Sequence, residues 1–361
     1  MTQALALAAF LRDAGHEVIS VLIGRSPHRP VPGYFTDGIE APISSFQAPA
    51  QVAGMDRQGL SVVNTLADAV WRSPRFVRSI RQISDGTAGA DVVINLMDFM
   101  GGLSRTFSPS SGRAPWVAIA HNYLFFHPEL RDLPGPEFVR RGVIAYTRAT
   151  TAGTQRRLAL AFTPMREVPE LGLEVTPPLL RPGLEALPIS DEGFLLAYAL
   201  NSGYGERLAD WQRRNPEVEV HCFVEGGSST FATEPGPGFH AHELHDRSFL
   251  EHLAACRAYV GSAGFESICE AHYLGKPVLA VPTEGQFEQT LNAWDAARCG
   301  AAHWGGYQDL DGFWANPEAP SGEVVRRFRD WVGLAPERSV EAVERAADFV
   351  RPAAATMHPT D

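Results

Sequence analysis

The chain has 361 residues, 45% hydrophobic and 20% charged, with a formal net charge of −11. That length and apolar content suit two packed domains and exclude a disordered chain. The acidic balance argues against nucleic acid as a main partner and, more weakly, against a purely electrostatic grip on anionic lipid, which a local basic patch could override. Four scattered cysteines without a C-x-x-C pair fit the reduced thiols of a cytoplasmic protein. No metal site is expected, because no His or Cys group has ligand spacing. No apolar run reaches the roughly 18 residues that span a bilayer.

Thr2–Ala14 predicts a core-facing helix stopped at Gly15. It mimics a short signal sequence but lacks a basic start and meets Arg12 and Asp13 early. His16–Gly24 predicts a strand. Helix and strand are the αβ part of a βαβ unit whose first strand is absent. Either the chain lacks that strand and tolerates it, or about 10–20 further residues, one strand and a loop on ordinary element lengths, are expected ahead of Met1. Arg25–Gly59, rich in Pro, Ser and Gly, reads as a surface loop with a short strand near Gly38–Ile43. Leu60–Ile83 has helical periodicity, with an interruption at Pro74. Arg72, Arg75, Arg78 and Arg81 lie on its outer face, either as a solvated surface or as a patch for an acceptor or a membrane.

Asp91–Leu96 and Trp116–Ala120 read as buried strands, with Asp98 and His121 just beyond their C-terminal ends. Ligands of open α/β sheets bind there, so both are candidate general bases, with Tyr123 and His127 as weaker ones. A polar residue at a strand end is equally read as structural. Strands at Arg157–Phe162 and Leu173–Pro177 lead to the Pro-rich crossing Pro177–Pro182. The boundary is placed there, giving a first domain over 1–178, a second over 179–351 and a disordered tail over 352–361.

The second half opens with a strand at Phe194–Ala199, a loop containing Asn201 and Ser202, and a helix carrying Leu208 and Trp211. Strands follow at Glu217–Val224 and Phe239–Leu244, then a helix at Phe249–Ala255. Cys256–Ala293 reads as strand, loop, helix, strand, loop, helix. The small residues Gly261-Ser262-Ala263-Gly264 feed a helix at Phe265–Leu274, capped at Gly275. Unpaired N–H groups at that helix start, with the helix dipole, make an anion site that small side chains leave open. Glu270 shares a helix face with Glu266 and is placed to accept ribose hydroxyls. After the strand Val278–Val281, the next helix starts near Phe287, and Gln289 and Asn292 share one face, where amides suit sugar hydroxyls. The same pattern also serves plain helix packing and turn chemistry. Helical segments to about Cys299, over Ser321–Trp331 and over Ser339–Val350 complete the chain.

The order S-A-G-F-E-S-x-x-E-A, G-K-P-V-L-x-V-P, E-G-Q-F-E-Q-x-x-N-A resembles the nucleotide-sugar half of GT-B glycosyltransferases. It is most similar to a bacterial and archaeal family related to the UDP-N-acetylglucosamine transferase of lipid II synthesis. The strong match covers about forty residues, and the element order matches over most of the chain. The resemblance implies an α/β GT-B fold, two Rossmann-like domains facing across a cleft, with last helices that cross back to the first domain. It implies a metal-independent, inverting hexosyltransferase that needs no cofactor and takes a nucleotide diphosphate sugar, a UDP-sugar, as donor. By the same resemblance Glu270 meets the ribose, and Ser262, Ala263, Gly264 and Phe265 meet the diphosphate. Gln286, Glu288, Gln289 and Asn292 hold the donor sugar. Asn201 and Ser202 face the donor phosphates by position only. The lipid II enzyme has an arginine where this chain has Ser262, and the family's N-terminal loop histidine has no counterpart, leaving His121 or Asp98 as base. The acceptor would be a lipid or a small molecule, with peripheral contact at the inner face of the membrane. Two alternatives stay open: a UDP-sugar 2-epimerase of the same fold, and a non-catalytic sugar-nucleotide-binding protein.

Overall fold

Short runs of aliphatic and β-branched residues form the strands, and most are buried on both faces, as parallel strands covered by helices are. The computed structural model describes residues 1–25, 31, 33–48, 73–107, 114–130, 132–199, 202–231 and 235–348. In chain order the strands are β1 (Val21–Arg25), β2 (Ile43–Gln47), β3 (Val93–Asn95), β4 (Trp116–Ala120), β5 (Arg156–Leu160), β6 (Leu173–Thr176), β7 (Leu195–Ala199), β8 (Val220–Val224), β9 (Phe239–His242), β10 (Ala258–Gly261), β11 (Val278–Ala280) and β12 (His303–Trp304). All pairings between them are parallel.

The second half holds one sheet, ordered β12-β11-β10-β7-β8-β9. Its order reverses between β10 and β7, which is the switch point where such sheets open a crevice for ligands. The first half holds β3-β4-β5-β6 and a separate pair, β1-β2. The facing edges of β1 and β3 have no strand partner among the described residues. A cavity of about 800 Å³ lies there, lined by Met1, Leu7, Leu11, Leu22, Val93 and Trp116 among others.

Several local expectations shift. Gly15 adopts φ +87° after the first helix, Thr2–Asp13. Pairing begins only at Val21, whose N–H meets the carbonyl of Pro42, so His16–Ser20 stays outside the sheet. Gly33–Gly38 is a helix, and the strand expected near Gly38–Ile43 lies at Ile43–Gln47. Of the expected helix Leu60–Ile83, residues 60–72 lie outside the described part. Ser73–Gly86 is helical, and Pro74 starts this helix instead of interrupting it, since a first-turn proline has no intrahelical bond to lose. Arg72 and the Arg75 side chain lie outside the described residues, while Arg78 and Arg81 are exposed. The tail over 352–361 also lies outside them.

One apolar core runs through both halves, from Leu7 and Ile119 to Phe265 and Leu291. The helix Ala335–Asp348 leaves its own half and packs against Thr2–Asp13 and on β4, β5 and β6. Trp331 donates its indole N–H to the Ala161 carbonyl at 2.9 Å, and Arg345 pairs with Glu174 at 2.6 Å.

Candidate functional site

The loops after β10 and β11 and the start of the helix Ser202–Arg214 lie at the switch point. The loop after β10 carries Ser262, Ala263 and Gly264 into the helix Phe265–Tyr273. Ala263 has φ +54°, one of two non-glycine residues with positive φ among the described residues, and it is buried. A left-handed residue turns the chain sharply ahead of the helix, and the small side chains around it leave the backbone open to close approach. Such strain persists only where surrounding structure holds it. No side chain caps the helix at Gly264, so its first N–H groups remain free for a ligand.

The expected amide pair holds this loop from behind. Asn292 is buried and donates its Nδ2–H to the Ala263 carbonyl at 2.9 Å. Gln289 is buried and its Oε1 accepts from the Thr283 N–H at 2.7 Å. These amides hold backbone of the loops after β10 and β11, and Asn292 Oδ1 is a buried oxygen without a hydrogen-bond partner. Gln286 is half-buried and stands at the N-cap of Phe287–Arg298. Tyr204 accepts the Glu284 N–H at 3.1 Å, which ties the helix after β7 to the same loop cluster. Ser202 opens that helix, half-buried, and Asn201 lies outside the described residues.

Glu270 is 1% exposed and meets Arg181 in a two-pronged ion pair, Arg181 Nε to Oε1 at 2.6 Å and Nη2 to Oε2. The arginine comes from the crossing between the halves, 89 residues earlier. It also lies over the Phe249 ring at 5.6 Å. Sequence reasoning missed this partner, since no local spacing joins the two residues.

His121, Asn122 and Phe125 of the first half reach the seam. His121 is 3% exposed, stacks on Phe265 at 4.0 Å and meets Phe162 edge-on. Its Nδ1–H donates to the Leu160 carbonyl at 2.7 Å, which leaves the Nε2 lone pair 3.8 Å from Asp295 Oδ2. Burial lowers the His121 pKa, against the pull of Asp295. Enclosed this way, His121 is a neutral packed ring without an open path to an acceptor. Asn122 hydrogen-bonds Glu288 across the seam, and Phe125 stacks on Phe287 at 5.8 Å. Glu288 keeps exposed surface at the rim, yet the crowding of its carboxyl raises its pKa, against the Asn122 hydrogen bond. Of the weaker candidates, Tyr123 is fully buried and His127 is bonded to the Arg166 carbonyl at 2.9 Å, so both are structural.

Asp98 is different. It follows Met97, the other positive-φ non-glycine residue, at φ +59°. Asp98 Oδ1 accepts from the Gly101 N–H at 2.8 Å, an N-cap contact for Phe99–Phe107. Its other oxygen lies beside Gly24 and the carboxylate borders the large cavity. Burial raises its pKa, against the hydrogen bonds from Gly101 and Met100.

Residues 137–313 match the model of the family described as glycosyl transferase family 1. No curated protein sequence matches the chain. Among solved structures, the glycotransferase of kitacinnamycin shares 17% identity at a TM-score of 0.57, covering 97% of this chain and 94% of that one. Acinetobacter baumannii MurG shares 15% at 0.52, covering 95% of each chain. Arabidopsis thaliana UGT89C1, complexed with UDP-L-rhamnose, shares 12% at 0.63, covering 97% of this chain and 96% of that one. The fold is that of a GT-B glycosyltransferase, two Rossmann-like α/β halves.

Proposed function

We propose that this chain is a glycosyltransferase that moves a sugar from a UDP-sugar to an acceptor hydroxyl, without a metal ion at the donor and with inversion. The observation that carries this reading is the loop Ser262–Phe265. It is a small-residue loop with a left-handed Ala263 and an uncapped helix behind it, set at the switch point of the second sheet. That geometry suits a diphosphate, and the helix dipole with its N–H groups would stabilise the departing UDP. The family match over 137–313 and the UDP-sugar in the Arabidopsis relative support the donor class.

Glu270, already held by Arg181, would accept the ribose hydroxyls while the guanidinium fixes its orientation. Gln286 and Glu288 border the sugar, and Gln289 and Asn292 keep the loops in place. Asp98 is the preferred base. Its raised pKa brings it toward the range where a carboxylate accepts a proton at neutral pH. The second-half loop and Asp98 then act from opposite halves, which fits in-line displacement.

An apolar acceptor, a lipid among the candidates, is supported by Val77, Phe107, Phe138 and Tyr146, all exposed on three neighbouring helices of the first half. A protein working there would sit at the inner face of a membrane.

The test is incubation with UDP-sugars, with and without a panel of lipid and soluble acceptors. Acceptor-dependent UDP release is the expected result. Epimer formed from UDP-N-acetylglucosamine alone would replace the reading with an epimerase, and UDP binding without turnover would replace it with a carrier of sugar nucleotides.

A further inference from the structure

The second sheet carries a group of histidines away from the nucleotide crevice. His221 lies on β8, and His240 and His242 lie two residues apart on the edge strand β9, so all three share one sheet face. His252 comes down from the helix Asp246–Ala255 that covers that face. The rings of His221, His242 and His252 form a nearly equilateral triangle, with centroids 5.1, 4.9 and 4.9 Å apart. One nitrogen from each lies within 4.8 Å of the others. Three imidazoles bound to a tetrahedral ion at about 2.0–2.1 Å would have centroids roughly 5 Å apart.

The hydrogen bonds select the tautomers. Ser248 O takes the Nδ1–H of His252 at 2.7 Å, leaving the Nε2 lone pair of His252 for the cluster. Glu219 Oε1 lies 3.2 Å from His221 Nε2 and accepts its N–H, leaving the Nδ1 lone pair inward. His242 Nε2–H donates to that nitrogen at 2.9 Å, with the two rings inclined by only 8°, and this proton moves to His242 Nδ1 when an ion takes its place. Each ring thus turns a nitrogen to one point, and two have outer N–H groups held by a carbonyl and a carboxylate, the arrangement that orients metal-binding histidines. Phe194 and Phe223 pack against the rings at 4.6 to 6.0 Å and keep the group half-buried.

We infer that His221 Nδ1, His242 Nε2 and His252 Nε2 bind one divalent transition ion of zinc type, with water in the fourth position. Imidazole ligands in a tetrahedral set favour Zn²⁺ or Co²⁺ over Mg²⁺ and Ca²⁺, which take oxygen ligands. The ion joins the edge strand β9 to β8 and to the covering helix. It is separate from the donor site and takes no part in the transfer step proposed above. The helix it holds also carries Phe249, which packs under Arg181, so the ion steadies the wall behind the Glu270 ion pair.

The experiment uses the full chain after chelator treatment, with Zn²⁺ and Co²⁺ titrated by calorimetry and visible absorption. One ion per chain is expected, with the intense absorption of tetrahedral Co²⁺ and a Tm that rises with added Zn²⁺. His242→Gln and His252→Gln should each weaken Zn²⁺ binding by about 100-fold or more. His240→Gln should leave binding within about threefold. Weak octahedral Co²⁺ absorption or no binding by the wild-type chain would overturn the assignment without any variant. Loss with His240→Gln but not with His252→Gln would overturn it too, by moving the ion to the Glu219 side of His221. Binding of Zn²⁺ unchanged in all three variants would place the metal elsewhere.

Discussion

His121 and Phe265 stack at 4.0 Å between ring centroids, one ring from the strand end of each half. The residue that carries a candidate base address is thereby a packing element of the seam, and its imidazole is held neutral by burial. Asp98 keeps one carboxylate oxygen outside its helix-cap contact and stands as the proposed base.

The two residues therefore separate by variant. His121→Ala should cost about 2–4 kcal/mol of stability, the range for emptying a buried ring site. Asp98→Asn keeps the cap contact to Gly101 and should lower turnover by about 100-fold or more with Tm nearly unchanged near pH 4. Burial raises the Asp98 pKa, so the folded state favours its protonated form. Its contribution is full below the ordinary carboxylate range and is lost as pH rises through the folded value. The Tm difference, variant minus wild type, should grow more positive from about pH 4 to about pH 7. A flat difference and full activity would reduce Asp98 to a helix cap.

His272 offers a second pH test. It is 2% exposed beside Phe328, and burial lowers its pKa to about 4. The lowered value means the unfolded chain binds the proton first, so stability is full above the unfolded pKa near 6.5 and falls as pH drops toward 4. About 3 kcal/mol is at stake across that window. His272→Leu should flatten the fall between pH 6.5 and 4, read by denaturant melts at each pH. An unchanged slope would show that the ring is reached by water.

For Glu270 the expected effect has two parts. Glu270→Ala leaves the Arg181 guanidinium, a side chain 10% exposed, without its carboxylate, which should cost about 3–5 kcal/mol of stability. Arg181→Met with Glu270→Leu should recover most of that loss. UDP affinity of the folded variants, measured by calorimetry, should fall by about 1.5–3 kcal/mol in both. Recovery of stability together with full UDP affinity in the double variant would leave the pair purely structural.

The cavity between β1 and β3 is lined by apolar residues such as Leu7, Leu22 and Val93 together with polar ones such as Asn95 and Asp98, and has a parallel strand edge on each side. An extension ahead of Met1 that carries five or six apolar β-forming residues and a short Gly-rich turn should seat there as a parallel strand. Differential scanning calorimetry should then show a Tm several degrees higher than that of the 361-residue chain. The same extension with Asp at alternate positions should give no rise. Equal Tm values for all three chains would show that the gap is closed to a strand.

The loop-and-helix order over Cys256–Ala293 was legible because buried parallel strands are continuous apolar runs between small-residue loops. β4, Trp116–Ala120, was legible for the same reason. Strand ends were not, since pairing starts where a neighbour begins, as Val21 does opposite Pro42. The partner of Glu270 lies 89 residues away, and the ring that encloses His121 comes from the other half. The histidine group draws on three elements, and only the His240-Ala241-His242 spacing on one strand signals it locally. Buried amides at Gln289 and Asn292 read as ligand groups in sequence because nothing local shows that loop backbone already uses them.

The helix Ala335–Asp348 covers strands laid down some two hundred residues earlier. During synthesis the first sheet must wait, one face bare, until nearly the whole chain has left the ribosome, because domains otherwise complete in order from the N-terminus. A pause or a stop before that helix would strand β4 to β6 with exposed apolar surface, a substrate for chaperones. Release of nascent chains halted before and after Asp348 should therefore differ sharply in protease resistance of the first half, although its own strands are present in both.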